Sequence, residues 1–203
     1  MLARTRPGTG DALRLAAELV DGGFSVALEQ VPEDDVAAVV TRLAEAGLLE
    51  HCEVTLSADR WRDPVPPAEA GSSIALAGSR DAVTAAALRL PEARVVVPAV
   101  DGESWCRDLA DGRVRLTAGR GGRADLAFVR CLNVLMAGDG QPAVATTDPR
   151  LVAITGERAA WNDRTPDSWE HVMPYGVRLH DQRRLLAAGY RVRVAVRAGR
   201  GSS

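Results

Sequence analysis

Along this chain, short β-branched runs suited to strands alternate with longer segments whose apolar residues recur at helical spacing. The alternation is cleanest from Arg113 to Gly189. Val114 to Thr117 reads as a strand, and Gly119-Arg120-Gly121-Gly122-Arg123 breaks it. Ala124 to Ala137 then places Phe128, Val129, Leu132, Leu135 and Met136 on one helical face. After the Gly138-Asp139-Gly140 turn, Pro142 to Thr146 predicts a strand, and Asp148-Pro149 reads as an N-cap with proline at the first helical position. The next strand ends at Tyr175-Gly176, and the helix after it stops at Gly189, a residue suited to left-handed backbone. Such alternation builds parallel strands joined by crossover helices.

The rest of the chain extends the same pattern. Residues 10–23 predict a helix through Ala12, Leu15, Ala16 and Leu19, residues 24–30 a strand, and Pro32 opens a helix with Val36, Val39, Val40 and Leu43 on one stripe. Cys52 to Ser57 is a second strand. Ala58 to Ser72 holds Pro64, Pro66, Pro67 and Gly71, which no regular helix tolerates, so one crossover helix is missing there. Ser73 to Ala77 and Arg94 to Val97 predict strands with a helix over 80–90 between them, a short helix covers 104–109, and Arg191 to Val196 is the eighth strand. Eight strands at intervals of about 20 to 30 residues predict a closed (β/α)8 barrel of the TIM type. It is a distorted one, a single domain over 1–203 that lacks the helix after strand 2 and the final helix. If Val192, Val194 and Val196 face the outer layer, an apolar strip is left for the N-terminal helix, a second copy or a partner protein to cover.

Composition narrows the chemistry. With 46% apolar and 26% charged residues and a net charge of -2, the 203-residue chain reads as an ordinary globular domain with no nucleic-acid partner. No apolar run reaches membrane-spanning length and no signal-like segment opens the chain, so a cytoplasmic location is the expectation. All 25 basic residues are arginine. Lysine Schiff bases, lysine general bases and phosphate-loop lysines are therefore excluded. His51, His171 and His180 are scattered, which argues against a histidine metal site, and Cys52, Cys106 and Cys131 read as buried thiols rather than disulfides or metal ligands.

Several stretches carry a family resemblance. Val129-Arg130-Cys131-Leu132-Asn133-Val134-Leu135-Met136-Ala137-Gly138, then Pro142-Ala143-Val144-Ala145-Thr146-Thr147-Asp148-Pro149-Arg150-Leu151, Tyr175-Gly176-Val177-Arg178, Gln182-Arg183-Arg184-Leu185 and Gly189 to Val194 resemble the flavin-dependent proline dehydrogenases. The match is strongest over 113–194. The resemblance implies a distorted eight-stranded barrel that holds FAD at the carboxyl ends of its strands and oxidises L-proline to pyrroline-5-carboxylate, passing electrons to a quinone. Most of the family's functional positions are replaced. Its strand-two lysine falls at Thr55, its strand-three acidic motif at Ala75-Leu76-Ala77-Gly78, and its strand-four glutamine at Pro98. The Lys-Gly-Ala-Tyr segment after strand five becomes Ala118-Gly119-Arg120-Gly121, the strand-six histidine Thr147, and the strand-eight tyrosine Ala195, while the final helix with its arginine pair is absent. The arginine beside the flavin N5 survives as Arg115, with the Tyr175-Gly176-Val177-Arg178 turn.

The surviving candidates each admit two readings. Arg115, taken as an inward arginine at a strand end, either serves a flavin or anion or pairs with Glu29 or Glu53. Gly119 to Arg123 either presents backbone N–H groups to a phosphate or is a solvated loop; Thr147 either bonds a ligand or prepares helix entry; Tyr175 either touches a cofactor or fills the barrel mouth. Ala75, Ala77, Ala145 and Ala195 point inward, leaving a hollow or drawing larger neighbours in. Arg191, Arg193, Arg197 and Arg200 read as a solvated basic edge. Matches at scaffold positions beside mismatches at inward strand ends imply a proline-dehydrogenase-like protein without ordinary catalysis, in which Arg115, Gly119, Thr147 and Tyr175 would contact FAD if flavin binds. The alternatives are an FAD-dependent oxidoreductase of altered substrate and a truncated product stable only with a partner.

Overall fold

The computed structural model describes residues 8–32, 35–61, 73–100, 102–119 and 122–198. Its strands are β1 (Ser25–Glu29), β2 (Cys52–Ser57), β3 (Ile74–Ala77), β4 (Arg94–Pro98), β5 (Arg113–Thr117), β6 (Gln141–Ala145), β7 (Glu170–Pro174) and β8 (Arg191–Arg197). They form a closed barrel in sequential order. The helices are α1 (Thr9–Asp21), α2 (Val36–Glu45), α3 (Arg80–Ala87), α4 (Glu103–Asp108), α5 (Gly122–Ala137), α6 (Pro149–Trp161) and α7 (Leu179–Ala187). The closed eight-stranded (β/α)8 barrel is the one expected; among the described residues no helix follows β2 or β8, and residues 62–72, most of the stretch expected to lack a helix, lie outside them. The chain divides into two compact units, one holding β1–β3 with α1–α3 and the end of β8 from Val194, the other β4–β7 with α4–α7 and the start of β8 to Arg193.

Parallel registers fix which side chains share a face in each unit. In the first, Ala27 pairs with Glu53, and Thr55 with Ala75, on the inner face, while Val54 pairs with Ile74 and Leu56 with Leu76 on the outer one. In the second, Val96 pairs with Arg115, Arg115 with Ala143 and Ala143 with Glu170 on the inner face. Strand residues alternate, so Val95, Val97, Val114, Leu116, Val144 and Met173 face outward against the helices, where all are buried. Phe128, Leu132, Leu135 and Met136 of α5 are buried with them, and each such side chain contributes about 1.5 to 3 kcal/mol of hydrophobic stabilisation. The apolar layer of the fold therefore lies between strands and helices, while the inner face carries the charges.

The turns at the amino ends of β5 and β6 are tightly bound to each other. A Cβ on Gly138 would meet Ala110 O at 2.5 Å and one on Gly140 would overlap the Gly112 carbonyl, so only glycine lets these two turns touch. Arg164 then closes the corner, donating from Nη1 to Gly138 O at 2.8 Å and from Nη2 to Gly140 O and Ser168 O. Helix entry at α6 follows the sequence expectation: Asp148 accepts from Arg150 N–H at 2.8 Å, with Pro149 first in the helix. Gly189 supplies the left-handed residue after α7, at φ 85°.

Val192, Val194 and Val196 are 1%, 0% and 1% exposed within the single chain, which suits cover from the chain itself, one of the alternatives left open. Two expectations need correction. The α5 helix starts at Gly122 rather than Ala124, because the glycines end the loop earlier than their composition suggests. The C-terminal arginines are not one solvated edge: Arg191 and Arg197 are exposed, Arg193 is buried by a carboxylate, and Arg200 lies outside the described residues.

Candidate functional site

In a parallel α/β barrel, chemistry is placed at the carboxyl ends of the strands, and stability at their amino ends. The inner face of the second unit separates along the same axis. Near the amino ends, Arg94 opens β4, Glu170 opens β7, and Arg193 is the third residue of β8. Arg94 Nη2 lies 2.9 Å from Glu170 Oε1, and Arg193 Nε donates to the same oxygen at 3.0 Å. Arg94 Nη1 also donates to Gln141 O at 3.0 Å and Val114 O at 3.4 Å. All three side chains are buried, and Glu170 Oε2 accepts no hydrogen bond among the described residues. Burial pushes the Glu170 carboxyl up, but Arg193 and Arg94 outweigh it and hold the group at about 2. Arg94 falls to about 10, because burial and Arg193 oppose its charge more than Glu170 supports it. Sequence reasoning missed this cluster. Its signal was parity: the first residues of β4 and β7 and the central arginine of β8 all alternate onto the inward face.

At the carboxyl ends the inner-face residues of β4 to β7 are Pro98, Thr117, Ala145 and Pro174, with Pro98 paired to Thr117 and Thr117 to Ala145. None carries a side chain that titrates near neutral pH. Thr117 Oγ1 donates to Val97 O at 3.4 Å, a bond within the sheet. The Thr117 hydroxyl is the one side-chain hydrogen-bonding group among these four residues.

Of the four residues named from sequence, Gly119, Thr147 and Tyr175 follow the carboxyl ends of the adjacent strands β5, β6 and β7, and Arg115 lies within β5. Arg115 is the central residue of β5 rather than a strand end; it faces inward and is 2% exposed. Gly119 is exposed, but a Cβ there would meet Ala124 Cβ at 2.9 Å and Val100 Cγ2 at 3.3 Å, so its missing side chain serves packing within the chain. Arg120 and Gly121 of the same loop lie outside the described residues. Thr147 is half-buried just ahead of the α6 cap, where the neighbouring Thr146 Oγ1 accepts from Asp148 N–H at 3.2 Å. Tyr175 is 42% exposed at the end of β7. Of the inward alanines, Ala75 and Ala195 are buried, and Ala77 and Ala145 are half-buried.

This donor set does not fit a flavin. A guanidinium that holds a ring system against its face is left open when the ring is removed, yet Arg115 is enclosed by the chain itself. A concave surface of about 320 Å³ in the second unit is at the other end of the strands, lined by Gly138, Asp139, Asn162, Asp163, Arg164 and Ser168 among others. It is walled by the same Arg164 that binds the backbone corner. Among the described residues, no group of three or more His, Cys, Asp or Glu side chains is placed to hold a metal ion.

Comparison with solved structures gives the fold a counterpart. The chain resembles proline utilization A in fold. Over 96% of its length it aligns with proline utilization A from Bdellovibrio bacteriovorus inactivated by N-propargylglycine, at TM-score 0.75 and 14% identity. Over 97% it aligns with the Corynebacterium freiburgense protein, at TM-score 0.73 and 13% identity. The chain spans 30% and 29% of those two structures. The Bradyrhizobium japonicum protein gives a TM-score of 0.64 at 15% identity over 88% of this chain. No family model and no curated protein matches the sequence. Identities this low carry architecture, and function has to be argued from the site.

Proposed function

We propose that this chain is a non-catalytic relative of the flavin-dependent proline dehydrogenase barrels, one that keeps the scaffold and has lost the redox chemistry. One observation carries the proposal: the inner-face residues that end β4 to β7 are Pro98, Thr117, Ala145 and Pro174, a set with no ionisable side chain to serve as general acid, general base or charged clamp for a carboxylate. The sequence resemblance and the fold likeness to proline utilization A support the ancestry. The amino-end cluster around Glu170 fits a barrel maintained for stability. We take residues 1–203 to act as one domain, for which a single unfolding transition seen alike by fluorescence and circular dichroism is the expected behaviour.

The test is a proline-dependent assay with a quinone-analogue acceptor, run with FAD in excess. The proposal expects no acceptor reduction above a no-protein control. Proline-dependent turnover would reject it. Turnover with another amine or 2-substituted acid would favour the alternative of an FAD-dependent oxidoreductase of altered substrate.

A further inference from the structure

Three of the seven large hydrophobic side chains exposed among the described residues fall within five consecutive positions. Tyr175, Val177 and Leu179, between β7 and the first turn of α7, are 42%, 40% and 47% exposed. Single exposed hydrophobics are ordinary on a protein surface, but a concentration of them marks a contact site. The turn that carries them is held in place. Val177 N–H donates to Pro174 O at 3.2 Å, and the buried Gln182 side chain reaches back from α7, donating from Nε2 to Pro174 O at 3.1 Å and to Val177 O at 2.7 Å. A buried amide thus fixes exposed apolar side chains, so binding has little ordering left to impose.

Arginines flank these residues. Arg178 pairs with Asp181 at 3.2 Å, whereas Arg183 and Arg184 are exposed and form no ion pair among the described residues. Residues 175–184 therefore carry three arginines against one aspartate, in a chain whose net charge is -2. Along α7, Leu179, Arg183 and Leu186 recur at the i, i+4, i+7 spacing of one helical stripe, with Leu186 half-buried.

We propose that this stripe of α7, with the turn before it, is a docking site for an amphipathic helix of another protein, one whose apolar stripe is flanked by glutamate or aspartate. The Leu179-to-Leu186 stripe forms the kind of ridge that a second helix packs against, which favours a helix over an extended segment. The positive charge beside it selects acidic residues in the partner and repels a second copy of the same face. Leu185 and Leu186 are half-buried by their own chain, so α7 offers a shallow strip rather than a face that sinks into lipid.

The probe is a phage library of helical peptides of about 18 residues, with the apolar stripe fixed as leucine and the flanking positions open to Glu, Gln or Lys, panned on the whole chain. Enriched clones should carry Glu at the flanks, and a synthetic copy of the leading clone should bind saturably, less tightly as salt is raised from about 0.05 to about 0.5 M. Leu179→Asp should weaken that peptide at least about tenfold, and Arg183→Glu likewise, with circular dichroism unchanged. Arg183→Glu combined with Arg184→Glu should turn the enrichment to Lys, an outcome that damage to the fold would not give. No enrichment over bare beads, enrichment without a preference for Glu, or peptide binding that both single variants leave intact would overturn the proposal. So would sedimentation of the chain alone as a dimer that Leu179→Asp dissolves, or flotation with anionic vesicles in place of peptide binding. The Arg183 variants decide the matter even if Leu179→Asp fails to fold.

Discussion

Replacing Glu170 by glutamine removes one charge from the buried cluster and almost no volume. Glutamine imitates the protonated carboxyl, so the cost of the substitution is the preference of this site for the charged form. That preference is written in the shift of Glu170 from 4.5 to about 2, which corresponds to about 3 kcal/mol at neutral pH. A similar figure comes from another direction, since breaking a buried ion pair costs about 3 to 5 kcal/mol by stranding the partner charge. Here Arg94 and Arg193, 2.9 and 3.0 Å from the same oxygen, would face each other without the anion between them. Urea unfolding followed by tryptophan fluorescence should therefore lose about 3 kcal/mol in Glu170→Gln at pH 7. The sign with pH is fixed as well. A carboxyl whose folded value is depressed stabilises fully above its unfolded value, so the contribution is complete above about pH 4.5 and lost as pH falls toward 2. The variant should lack this acid-side decline. A Glu170→Gln protein within 1 kcal/mol of the parent would refute the reasoning, since that limit is well below the roughly 3 kcal/mol expected.

Other outcomes follow from the same geometry. His171 sits on the outer side of β7 between the rings of Trp169 and Tyr190, with centroids 4.6 and 5.9 Å away, and burial lowers it to about 4. Its neutral form is the stable one, so about 3 kcal/mol should be lost as pH falls from 6.5 to about 4, and proton NMR of the imidazole should titrate near the lower value. His171→Phe should remove this window and leave the lower, Glu170-dependent one intact. Arg164→Ala should cost about 2 kcal/mol in urea unfolding, because three carbonyls lose a charged donor at the turn between α5 and β6 and before β7. Gly140→Ala should destabilise at least as much, since its Cβ has no space beside the Gly112 carbonyl.

The elements that depend on local signals were the legible ones. Asp148-Pro149 and Gly189 announce a cap and a stop in residue type alone, and the period-two and helical runs locate all eight strands. What the residues touch across the fold was less legible. Arg193 sits in an Arg-Val-Arg-Val-Ala-Val-Arg run that looks like an edge, and only the register of β7 brings Glu170 to it. The same limit applied to Val192, Val194 and Val196, because the pattern tells which face they share and not what covers it. Parity alone could have grouped Arg94, Arg115, Glu170 and Arg193 on one face, had every charged residue within a predicted strand been assigned a side.

The most direct test of the central claim, a barrel of the proline dehydrogenase type without its redox site, is the visible absorption spectrum of the protein purified from riboflavin-fed cells and then titrated with FAD. The expected result is a colourless protein whose added FAD keeps the spectrum and fluorescence of free flavin. Stoichiometric yellow protein, with flavin fluorescence quenched on binding and the spectrum altered in Arg115→Ala, would contradict it.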